Sequence, residues 1–142
     1  YKARVVYGIQ GVETIEYAPY KMKPLLHAVG KSYLNGFRKK AEQHLQRQNQ
    51  PSFPENDWLI TYRNLDDNSF EIDIHRCGFI TIAKKYGVEG MLPGICSVDF
   101  MISHYMGNGF SRTKTLGAGD ECCNCHYELQ GTCPLHAPKG MK

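Results

Sequence analysis

Residues 75–126 read HRCGFITIAKKYGVEGMLPGICSVDFMISHYMGNGFSRTKTLGAGDECCNCH, and the changes of pattern within them decide the fold. GFITIAKKYG predicts a short helix from Phe79 to Tyr86, closed by Gly87, because glycine takes the left-handed C-terminal cap without steric cost. After the loop VEGMLPG a second helix is expected over Ile95–His104. Cys96 and Asp99 are three apart there, as are Val98 and Met101, so a thiol and a carboxylate share one helical face. GNGF ends that helix. Ser111–Leu116 alternates like a strand and GAGDE supplies a tight turn. Cys122–Leu129 then alternates again, with Cys123, Cys125, Tyr127 and Leu129 on one face and Cys122, Asn124, His126 and Glu128 on the other.

Upstream, WLITYR (58–63) and Phe70–Cys77 read as two strands joined by the turn NLDDNS, with Phe70, Ile72 and Ile74 on one face of the second. Before them QNQPSFPEND is a loop, rich in proline and amides. Leu25, Val29, Tyr33, Phe37, Ala41 and Leu45 recur every four residues, with Leu26 and Leu34 widening the stripe. That predicts a long amphipathic helix over 24–48 with Pro24 at its first position. Residues 1–23 read as a partly helical lead-in and 130–142 as an irregular tail. The whole, 1–142, is expected to be a single α+β domain with an antiparallel sheet of about four strands packed with about three helices. Residues 58–129 form the sheet and the two helices that carry the site.

A chain of 142 residues is large enough to bury a dry pocket without disulfides. Its net charge of +3 and 22% charged residues form no basic stripe, so nucleic acid is not an expected partner. No run approaches a membrane span and YKARVVYGIQ lacks the apolar core of a signal peptide, which places the chain in the cytoplasm as an expectation. In such a reducing compartment six cysteines point to thiol chemistry or metal ligation ahead of disulfides. Self-association into a homo-oligomer is compatible with this composition.

The order of these signals resembles the family of L-2-amino-thiazoline-4-carboxylic acid hydrolases. The resemblance is carried by Cys77 after a strand, GMLPGICSVD from Gly90 to Asp99, and RTKTLGAGDECCNC from Arg112 to Cys125. It spans residues 70–127. Where the family tends to have Cys-Asp-Phe-Arg, this chain has Cys123, Asn124, Cys125 and His126, so a carboxylate and a cation are absent from the last strand. The resemblance implies a hydrolase that opens a C–N bond of a small cyclic amidine, here a thiazoline ring, to give an N-carbamoyl cysteine. No cofactor is implied, and the partner is a small substrate carrying a carboxylate.

For that chemistry Cys96 and Asp99 are the candidate catalytic pair. A thiolate at the start of a helix is stabilised by the helix dipole, and a nearby carboxylate can act as a base or pair with an amidinium. The alternative is a small buried thiol whose pKa the Asp raises. Arg112 is the natural partner of a substrate carboxylate because its guanidinium offers two parallel donors. On a regular strand Thr113 and Thr115 face away from Arg112. Thr115, Cys77 and Cys123 are the expected pocket neighbours. His75, in frame with Cys77, and His104, further along the helix, are the candidate acids. A second reading takes Cys122, Cys125, Cys133 and His136 as a structural zinc site, C-x2-C-x7-C-x2-H, although a regular strand would set Cys122 and Cys125 on opposite faces. A third is a non-catalytic binding module on the same scaffold.

Overall fold

The computed structural model describes residues 2–138, with side chains described from residue 22 onward. Tyr1 and the last four residues of the expected tail lie outside the described residues. Helix α1 runs over Lys2–Gln48, followed by strands β1 (Leu59–Asn64) and β2 (Ser69–Arg76), helix α2 (Gly78–Tyr86), helix α3 (Leu92–Met106), and strands β3 (Gly109–Ser111) and β4 (Cys123–Glu128). Two single 3-10 turns, Glu89–Met91 and Leu116–Ala118, link them. The strands form one antiparallel sheet in the order β1-β2-β4-β3. Three helices on a four-stranded antiparallel sheet make this a single α+β domain. No helix of the described residues is long and apolar enough to cross a membrane.

The period-two readings hold. Cys123, Cys125, Tyr127 and Leu129 are buried, and Phe70 and Ile72 join them from β2. The ring of Phe70 stacks on Tyr127 at 5.1 Å and 15°. Phe100 from α3 meets Phe110 from β3 edge-on at 4.8 Å, so the core lies between the sheet and the α1/α3 pair. Gly87 caps α2 at φ 63°, with its amide turned back to the last turn.

Helix α1 differs from its expected form in two ways. It passes through Pro24, so that residue is interior and its turn lacks one backbone hydrogen bond. Its buried face runs through Gly30, Leu34 and Ala41, while Leu25, Val29 and Tyr33 are exposed. The reason is geometric: a repeat of four drifts by about 40° per step around a helix of 3.6 residues per turn. The expected stripe therefore turns about 200° between Leu25 and Leu45, and only its C-terminal half reaches the sheet.

The expected strand Ser111–Leu116 is also shorter than its alternation suggests. Pairing stops at Ser111 because the Asn124 carboxamide takes over as partner, accepting the amides of Thr113 at 3.0 Å and Lys114 at 2.7 Å. A side chain has replaced the ladder. The chain then leaves the sheet and curls into the Leu116–Ala118 turn, which sits against α3.

Candidate active site

Three elements converge where the sequence concentrates its thiols: the second turn of α3, the loop from Arg112 to Thr115, and the start of β4. The Arg112 side chain is 3% exposed. Its guanidinium donates from Nη1 to Asp99 Oδ2 at 2.9 Å and from Nη2 to the carbonyl of Cys96 at 2.7 Å. It also lies 5.8 Å from the Phe100 ring centre and 5.6 Å from that of Phe110. A buried cation is tolerated when it is paired and hydrogen-bonded, and through these two bonds this one anchors the loop to α3.

Thr115 sits between sulfurs. Its backbone N–H donates to Asp120 Oδ2 at 2.8 Å, and its Oγ1 accepts the Gly117 amide at 3.4 Å. That leaves one hydroxyl proton between Cys96 Sγ at 3.8 Å and Cys123 Sγ at 3.4 Å. Gly117 allows the close approach, since a Cβ there would stand 3.2 Å from Cys96 Sγ. Because the loop leaves the sheet, Arg112 and Thr115 face the same cavity, which corrects the opposite-face expectation.

The electrostatics do not favour a resting thiolate on Cys96. Helix α3 starts at Leu92, so Cys96 is in its second turn, beyond the first-turn amides where the dipole acts. Burial raises the thiol above its ordinary value of 9.0, and Cys123 and Cys77 add to this. The Thr115 hydrogen bond and the Arg112 charge oppose it. Burial likewise raises Asp99 above an ordinary aspartate, with Arg112 pulling the other way, although 41% of the Asp99 side chain still reaches solvent. Cys125, 1% exposed, is pushed up to about 12, chiefly by burial and then by Asp99.

Cys96, Thr115 and Arg112 open onto a cavity of about 180 Å³, completed by Pro93, Ser97, Phe100, Gly117, Ala118 and Ala137. That is smaller than the ~300–1,000 Å³ typical of drug-sized ligands, and suits one small ring. Arg112 is the one charged side chain among its lining residues. Asp99 stands behind Arg112, outside that lining. Cys77 and Cys123 lie within electrostatic reach of Cys96 without lining the cavity. A larger hollow of about 290 Å³ lies on the polar face of the sheet. There Arg63 is already paired with Asp73 at 2.7 Å and Glu71 at 2.9 Å, and the one lining thiol is the buried Cys125.

The remaining candidates are elsewhere. His75 bonds to Thr61 on the exposed face of the hairpin. His104 faces away from Cys96: its Nδ1 lies 2.7 Å from the Cys133 carbonyl and its Nε2 lies 3.1 Å from Lys23 Nζ. Lysine can only donate, so Nε2 accepts and Nδ1 carries the proton, and the ring serves as a structural link. Cys122, Cys125, Cys133 and His136 do not assemble into a zinc site. Cys125 is buried within the regular strand while Cys122 precedes it, and no group of three or more His, Cys, Asp or Glu among the described residues could hold a metal ion. Asn124 lies outside the lining of the cavity over Cys96 and holds the 113–114 turn. It donates to Thr113 Oγ1 at 2.9 Å as well as accepting both amides.

Sequence reasoning missed Pro93, Ser97, Phe100, Gly117, Ala118 and Ala137 as wall residues and Asp120 as the Thr115 holder. Only Asp120 left a signal, as a turn-type Asp after glycine. The Arg112–Asp99 pair carries a stability prediction. Asp99→Ala strands a guanidinium that is 3% exposed, whereas Arg112→Met leaves a carboxylate that water still reaches. With a discount for that exposure, Asp99→Ala is expected to lower unfolding free energy by about 2–3 kcal/mol. Urea titration of both variants checks this, with Asp99→Ala expected to be the weaker protein.

The family model described as L-2-amino-thiazoline-4-carboxylic acid hydrolase matches residues 9–127, well beyond the stretch that carries the resemblance in sequence. No curated protein and no solved structure gives a match.

Proposed function

The chain belongs to the family of L-2-amino-thiazoline-4-carboxylic acid hydrolases, and from that membership we propose that it hydrolyses a small cyclic amidine bearing a carboxylate, at the cavity over Cys96. The observation that carries this reading is the cavity itself: a small apolar space with one thiol, the Thr115 hydroxyl bonded to that thiol, and one cation in its lining.

Water added at the amidine carbon of a thiazoline can expel either ring heteroatom. Breaking C–N leaves the carbamoyl group on sulfur. Breaking C–S leaves it on nitrogen and frees a thiol, so an N-carbamoyl cysteine requires the C–S bond to break and not the C–N bond that the resemblance suggested. Sulfur is also the better leaving group, because a thiol is far more acidic than an amine.

In the proposed sequence the Cys96 proton, held by the raised pKa, passes to the ring nitrogen as Sγ attacks the amidine carbon. The tetrahedral adduct collapses with loss of the ring sulfur, which leaves as a thiol with that proton. An isothiourea remains on Cys96. Water then adds to the same carbon and Sγ leaves with a proton, for a net gain of one water. The Thr115 hydroxyl offers a hydrogen bond to Cys96 Sγ as charge develops there. Arg112 attracts the substrate carboxylate and Asp99 keeps the guanidinium oriented.

Incubation of the purified protein with 2-amino-thiazoline-4-carboxylate, followed by mass and by a thiol reagent, tests this. The expected result is a product heavier by one water that carries a free thiol. An added water without a thiol would assign C–N opening. Saturable binding with no product would make the cavity a binding module.

A further inference from the structure

The family match ends at residue 127, yet the cavity over Cys96 is closed by residue 137. The segment between is irregular in hydrogen bonding and firmly held all the same. The Leu129 amide donates to the Asn68 carbonyl at 2.7 Å, and Asn108 Nδ2 donates to the Leu129 carbonyl at 2.7 Å. Gly131 N–H reaches the Gly107 carbonyl at 3.2 Å.

Cys133 is the next anchor. It is 7% exposed, and its Sγ lies 3.5 Å from the Phe100 carbonyl and 3.7 Å from that of Phe110. Its own carbonyl accepts from His104 Nδ1. These contacts fasten the segment across the C-terminal part of α3 and the edge strand β3. Phe100 serves both, since its carbonyl receives the Cys133 thiol while the residue also lines the cavity. Four residues further on, Ala137 packs against the hydrophobic core and faces the same cavity as Cys96.

We infer that the strap Cys133–Ala137 is a specificity-determining wall of the cavity over Cys96, and that the small side chain of Ala137 sets the size of ligand that reaches the thiol. This rests on reading that cavity as the substrate site. Cys133 and His104 act as positioning residues, holding the strap where Ala137 meets the cavity. A thiazoline carrying only its amino and carboxylate groups is expected to fit the space left beside a methyl group, and an analogue with a further ring substituent is not.

The test uses the full chain as wild type, Ala137→Trp, Ala137→Gly and Thr132→Trp, the last placing bulk at an exposed position just before the strap. Cys96 is alkylated at one alkaline pH with iodoacetamide and separately with N-benzylmaleimide, and its modification is followed by peptide mass. KM and kcat are measured for the thiazoline and for a ring-substituted analogue.

Ala137→Trp is expected to slow iodoacetamide at Cys96 about tenfold or more, the rate equivalent of overpacking a small space. It should also raise KM, while Thr132→Trp stays at the wild-type rates. Ala137→Gly is expected to speed the bulky reagent severalfold and leave the small one unchanged. An unchanged ratio of small to bulky rates in both Ala137 variants overturns the proposal. Alkylation needs no turnover, so a wild type that leaves the thiazoline intact sinks the hydrolase reading while the wall is still read from those ratios.

Discussion

Gly30→Ala is expected to destabilise the protein by at least about 3 kcal/mol, the upper range for forcing atoms into a packed contact. Gly30 is buried where α1 crosses the end of α3, and a Cβ built there falls 1.7 Å from the Met106 carbonyl oxygen, with the Met106 carbonyl carbon at 2.8 Å. Both are backbone atoms at the last turn of α3, so no side chain can swing aside and the helices must part. Separating them moves α3, and with α3 go Cys96, Asp99 and the Phe100 carbonyl that meets the Cys133 thiol. Gly36→Ala, six positions on in the same helix, meets nothing within 4 Å. There the ordinary helix preference for Ala acts alone and should add about 0.5–1 kcal/mol. Thermal melts of the two variants should differ in sign, with Gly30→Ala lower than wild type by roughly 10 °C. Similar melting temperatures for both would mean that α1 and α3 do not cross at Gly30.

Cys96→Ala is expected to reduce turnover about 10³-fold or more, the scale of losing an attacking nucleophile. The side chain is half-buried on the wall of an existing cavity, so its removal should cost no more than about 1 kcal/mol of stability. Loss of rate therefore reports chemistry, not unfolding. Cys122→Ala is the matched control, because Cys122 precedes β4, lies outside the lining of the cavity over Cys96 and should keep the wild-type rate. A Cys96→Ala protein that retains turnover would move the chemistry to water activated elsewhere in the cavity.

The parts of this molecule that were legible in sequence are those governed by short periods. The alternation of Cys123, Cys125, Tyr127 and Leu129 named the core face of β4. The spacing of Cys96 and Asp99 placed both on one helix, and Gly87 marked the end of α2. Patterns that depend on distant partners were not legible. The stripe of α1 drifts around the helix, and nothing in Leu25, Val29 or Tyr33 says that Gly30 is the point of closest approach. The strand expected through Thr115 is interrupted by Asn124, a residue outside the strand whose carboxamide captures two amides. Ala137 gave no signal at all, since an alanine in an irregular tail becomes a wall only through anchors at Cys133 and His104. The candidate residues were picked out by type and order, and the structure adds what each one touches. Arg112, expected as the partner of a substrate carboxylate, is bonded to Asp99 and to the Cys96 carbonyl.

The central claim is that Cys96 forms a bond to the substrate. Acid quenching of the protein during turnover of 2-amino-thiazoline-4-carboxylate, followed by intact and peptide mass measurement, tests it directly. The expected result is a species heavier by one substrate, mapped to the peptide that carries Cys96 and missing from Cys96→Ala. Steady formation of the hydrated product with no such species at any quench time, together with undiminished turnover by Cys96→Ala, would contradict the account.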